Sequence, residues 1–88
     1  MLLIIYTNQN QGTGDNMLFG KQQAINKSKG VRLIIEPDEN VGFYLLVYDL
    51  ASGKCIQDFL YFPDQLDNLY NHAMVYGINK ESFYPIGK

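Results

Sequence analysis

The chain has 88 residues, of which 47% are hydrophobic and 18% charged, and a formal net charge of −2. That is one domain, spanning residues 1–88, with enough apolar content for a core but no room for a second domain or a deep cofactor cleft, so no cofactor is expected. Cys55 is the single cysteine, which excludes an intramolecular disulfide and a cysteine-based zinc site and makes a reducing, cytoplasmic location the expectation.

In chain order, "LLIIYT" (2–7) reads as a first strand, short and rich in isoleucine. It has no basic leader and turns polar at Thr7, too soon for a signal segment or a membrane span, so no membrane partner is expected. The segment 8–30 is ambiguous: "NQNQGTGDN" is a glycine-bearing loop, and "NMLFGKQQAIN" can hold a short strand or a helical turn. "VRLIIE" (31–36) is a clear strand that Pro37 should stop, because proline has no donor for a ladder. "GFYLLVYD" and "KCIQDFLYF" follow as a hairpin through "LASG", where Gly53 supplies a left-handed turn position.

The helix comes last. Pro63 suits its first position, Asp64 and Asp67 suit the positive end of its dipole, and Gly77 suits its stop. Leu66, Leu69, Tyr70, Ala73 and Tyr76 recur at three- and four-residue steps and form one apolar stripe. A brief strand around Phe83–Tyr84 can end the chain. The expected fold is α+β: a small antiparallel sheet of about four strands carrying one α-helix on one face.

Alternation along the hairpin divides its side chains between two faces. With Leu50 opposite Lys54, Phe43, Leu45 and Val47 share a face with Cys55, Gln57, Phe59 and Tyr61, an apolar set suited to the core beneath the helix. Tyr44, Leu46 and Tyr48 share the other with Ile56, Asp58 and Leu60. That mixed face either lies under residues 8–30 or serves as a contact surface, since tyrosines with a few charges are what interfaces favour.

Motifs for chemistry are missing. "GTGDNMLFGK" resembles a phosphate loop, but five residues separate Gly14 from Gly20 and Gln22 stands where a magnesium-binding hydroxyl belongs; Gly12 and Gly14 lack the third glycine of a dinucleotide fingerprint. His72 falls on the helix face of Gln65 and Asn68, as a solvated histidine would, and has no second histidine to complete a metal pair. Cys55, mid-strand among bulky residues, reads as a buried and inert thiol; a Cys55–His72 enzyme would need the two within reach and an electropositive setting. No catalytic residues and no metal site are expected.

Charge is uneven along the chain. Residues 1–35 carry Lys21, Lys27, Lys29 and Arg32 against Asp15, whereas residues 36–67 carry Glu36, Asp38, Glu39, Asp49, Asp58, Asp64 and Asp67 against Lys54 alone. The acidic middle repels nucleic acid, so none is expected as a partner, and would steer a basic protein.

The stretch 42–78 resembles a group of small bacterial proteins in which a strand ending in Tyr48 and Asp49 meets a glycine turn at Gly53. Cys55, Ile56 and Asp58 follow, then a helix bearing Ala73 that closes on Gly77 and Ile78. The resemblance extends more loosely to the immunity proteins that accompany bacterial toxins, including those of contact-dependent inhibition. It implies a small, non-catalytic cytoplasmic protein that covers a toxin's active site. Combined with the acidic, aromatic surface, it makes Tyr44, Tyr48, Asp58, Asp64 and Asp67 the expected partner contacts. The alternative is a self-associating structural or regulatory protein, a homodimer built on the same face or on an open strand edge.

Overall fold

A computed structural model describes residues 20–86. The strand expected over 2–7 and the glycine loop that follows it lie outside the described residues. Within them the order is β1 (Gln22–Asn26), β2 (Val31–Asp38), β3 (Gly42–Asp49), β4 (Cys55–Tyr61), a helical segment and β5 (Tyr84–Pro85). The helical segment opens with a 3₁₀ turn at Pro63–Gln65, continues as α1 (Leu66–Ala73) and closes with a 3₁₀ turn at Met74–Tyr76; a further 3₁₀ turn, Lys80–Ser82, precedes β5. The sheet is antiparallel throughout, in the order β4-β3-β2-β1-β5.

The α+β architecture is as the sequence predicts, with five described strands rather than four. The ambiguous segment resolves in part into β1, which pairs with β2 from Gln22↔Ile35 to Asn26↔Val31. Chain reversal between them uses Gly30, at φ +68, whose N–H reaches the Lys27 carbonyl. The strand β2 also runs two residues past the expected stop, to Asp38. Its ladder with β1 ends at Ile35, so among the described residues Pro37 sits where β2 is paired with β3 alone and a missing donor is tolerated.

The two faces of β3 and β4 are as the alternation predicts over most of their length: Phe43 pairs with Tyr61, Leu45 with Phe59 and Val47 with Gln57. Near the turn the register slips by one, and Tyr48 faces Cys55 instead of Ile56. Asp49 sets the slip. Its N–H reaches the Lys54 carbonyl at 2.8 Å, its own carbonyl takes the Gly53 N–H, and its carboxylate takes the Ser52 N–H. Closing the turn that way leaves one extra residue in β4, a β-bulge. As a result Cys55 is exposed rather than buried in the core.

The core lies between the sheet and the helix. Ala24, Val31, Leu33, Ile35, Leu45 and Val47 line the inner face, and Leu69, Ala73 and Ile78 pack on them. Leu33, Ile35, Leu45, Val47, Leu69 and Ile78 are fully buried, each contributing about 1.5–3 kcal/mol relative to exposure. Leu66, Tyr70 and Tyr76 extend the helical stripe at its margin. Gln65 accepts the Phe62 N–H through its side chain at the helix start, and Gly77, at φ +72, ends the segment. Asn26 ties the β1–β2 turn to that end: its Nδ2 donates to the Tyr76 carbonyl at 2.9 Å while its side-chain oxygen accepts from Ser28 and Lys29.

Candidate functional site

The face of the sheet opposite the helix holds the candidate site. Because side chains alternate, the residues left facing outward are Gln23 and Ile25 from β1, Arg32, Ile34 and Glu36 from β2, and Tyr44, Leu46 and Tyr48 from β3, with Asp58 and Leu60 from β4. Ile34 is buried in the middle of this face, outside the core proper. On this face Ile25, Leu60 and Tyr84 are exposed, Leu60 by 44% and Tyr84 by 45%, so the face presents apolar area and not merely polar fringe.

A polar row crosses the face from strand to strand. The Gln23 amide nitrogen donates to the Tyr84 hydroxyl at 2.7 Å, and Arg32 donates to the Gln23 side-chain oxygen at 3.1 Å. The Arg32 guanidinium in turn lies 4.6 Å from the centre of the Tyr48 ring. A cation–π contact of this kind favours the placement of the Tyr48 ring beside Arg32. Tyr44 stands opposite Glu36 on one side and Leu60 on the other.

The structure groups three of the five expected contact residues and separates two. Tyr44, Tyr48 and Asp58 share the outer face, Asp58 exposed opposite Leu46. Asp64 and Asp67 are exposed in the first turns of the helical segment, which packs on the other face, where their carboxylates suit the helix dipole. Sequence reasoning missed Arg32, Gln23 and Tyr84. A usable signal was present at one of them: an arginine inside the apolar run "VRLIIE" marks a solvated face.

His72 is not the solvated residue expected. Its Nδ1 lies 2.6 Å from the Tyr61 hydroxyl, and its ring meets Phe59 edge-on with centroids 4.3 Å apart. The Tyr76 ring centre lies 5.8 Å from that of His72. On that flank of the helix His72 is half-buried against β4, whereas Asn68 is exposed. Burial, and secondarily the neighbouring Tyr76, pushes the Tyr61 phenol above its ordinary value of 10.0. Burial does the same to Tyr70, which meets Phe83 edge-on at 5.7 Å.

The Cys55–His72 pair is not assembled. Cys55 begins β4, whereas His72 binds Tyr61 at its other end, six residue steps or about 20 Å away. The Cys55 thiol instead donates to the Gln57 carbonyl at 3.3 Å. Among the described residues no group of three or more His, Cys, Asp or Glu side chains is placed to hold a metal ion, and no helix is long and apolar enough to cross a membrane.

Comparison of the chain with protein-family models, curated proteins and solved structures finds no match. Several residues that carry the sequence resemblance have structural duties: Asp49 and Gly53 close the hairpin, Ala73 and Ile78 fill the core, and Gly77 ends the helix. Tyr48, Cys55, Ile56 and Asp58 are the ones left out of the core and the turns.

Proposed function

We propose that this chain is a non-catalytic protein-binding module, and most specifically an immunity protein that neutralises a bacterial toxin by occluding its active site. The observation that carries the reading is the outer face: a half-buried Tyr44 and an arginine-stacked Tyr48 beside exposed apolar residues and Asp58. Aromatic anchors with a charged margin are what a tight protein contact uses. Asp58 and Glu36 on this face would steer a basic partner, such as a nuclease toxin. Asp64 and Asp67 sit in the opposite layer, so a partner that also touches them must wrap around the β4 edge.

A second reading, self-association as a homodimer, is favoured by the same exposed apolar residues. One experiment separates the two. Affinity capture with the tagged chain from its native lysate, followed by mass spectrometry and sizing, should recover a toxin domain at equal stoichiometry. Combined Tyr44→Ala and Tyr48→Ala replacement should abolish the capture, and Asp58→Lys should slow association and flatten its salt dependence. Recovery of the chain alone as a stable dimer would replace the first reading by the second.

A further inference from the structure

The strand β4 lies at the end of the sheet, and among the described residues nothing pairs with its second edge. Residues Cys55–Asp58 and Leu60 are all exposed. The bulge disrupts the ladder at Cys55–Ile56, which leaves Gln57–Tyr61 as a regular five-residue template of backbone donors and acceptors. On the outer side of that template Asp58 and Leu60 point the same way, two residues apart. An added strand would set one side chain against each.

We propose that this edge takes an extended segment of a basic partner protein as a further strand of the sheet, with a lysine or arginine facing Asp58 and an apolar residue two positions away facing Leu60. Charge and pattern select this occupant. In a second copy paired about a two-fold axis, the registers that keep Asp58 paired within Gln57–Tyr61 set it against its own mate or against Leu60; the first repels and the second leaves the carboxylate facing an apolar side chain. Lys54, the nearest cation in sequence, lies beyond the bulge. Asp58 therefore disfavours those pairings between copies and favours a cationic strand at the same position. The segment would contribute main-chain hydrogen bonds for affinity and alternate side chains for specificity, while the rest of the partner covers the tyrosine face.

The inference rests on the binding-module reading but is tested without any toxin, so its failure and the failure of that reading are distinguishable. The probe is a seven-residue peptide of alternating threonine and valine with lysine at its centre and blocked ends, compared with the same peptide carrying glutamate there. Titrated into the isotope-labelled full chain, the lysine peptide should shift the amide resonances of residues 57–61 at submillimolar to millimolar concentration. The glutamate peptide should bind about fivefold more weakly, the size expected for one cross-strand charge pair against one repulsion. Asp58→Lys should invert that preference. Equal binding of the two peptides, shifts centred on the helix, or no shifts in β4 with either peptide would each overturn the proposal.

Discussion

At the residue scale, a few polar side chains do more for the fold than their exposure suggests. Asn26 bonds in two directions, to the Tyr76 carbonyl and to the backbone of its own turn at Ser28. Asn26→Ala should cost about 1–2 kcal/mol of unfolding free energy, read as a lower denaturant midpoint with an unchanged slope. Tyr61 and Tyr70 make a pH prediction. Both phenols are raised above the ordinary 10.0 in the folded chain by burial, so folding favours their neutral forms. Their contribution is fully present below the unfolded-state value and is lost as pH rises through the folded one. Melting temperature should therefore fall above about pH 10 in step with tyrosinate absorbance, and Tyr70→Phe should lessen that fall. Histidine 72 shows a limit of reading residues singly. Its place among Gln65 and Asn68 made it look solvated, because helical periodicity describes the helix and not the width of the sheet beneath it.

Elements differ in how much of them is written locally. The β3–β4 pairing was legible because apolar and polar residues alternate through "GFYLLVYD" and the glycine turn fixes the reversal. The bulge was not, since it follows from how Asp49 bonds Ser52, Gly53 and Lys54 rather than from any periodicity. The strand β1 was left ambiguous for a different reason. "QQAIN" has weak β preference of its own, and β2 makes it a strand by supplying partners for every residue. The β5 pair is two residues long and is defined only by Gln22 and Gln23 across from it. The start of β3 offers the sharpest element-scale test. Gly42 has φ +146, and a Cβ there would collide with the Tyr61 carbonyl on β4. Gly42→Ala should destabilise by more than about 1 kcal/mol in a thermal or denaturant melt, whereas Gly53→Ser, at an exposed turn where a Cβ meets nothing among the described residues, should cost less.

For the whole molecule, the proposed function rests on an asymmetry between the two faces of one sheet. The helix takes the face on which Leu33, Ile35, Leu45 and Val47 meet, and this leaves the tyrosine, arginine and aspartate side chains on the other. The sequence alone located Tyr44, Tyr48 and Asp58 on that side, because hairpin register was readable. It grouped Asp64 and Asp67 with them on charge, a quantity that carries no information about layers. It missed Gln23 and Tyr84 because the brief strand expected at Phe83–Tyr84 and the ambiguous one before residue 27 came with no pairing partners, and so missed the row of contacts that reaches Tyr48. Amide hydrogen exchange of the full chain, at a concentration where sizing shows a monomer, tests this division most directly. The account predicts the slowest exchange at Leu33, Ile35, Leu45 and Val47, and within β4 an alternation of slow amides that bond β3 with fast ones on the free edge. Uniformly slow exchange from Gln57 to Tyr61 in the monomer would show the edge already covered and contradict it.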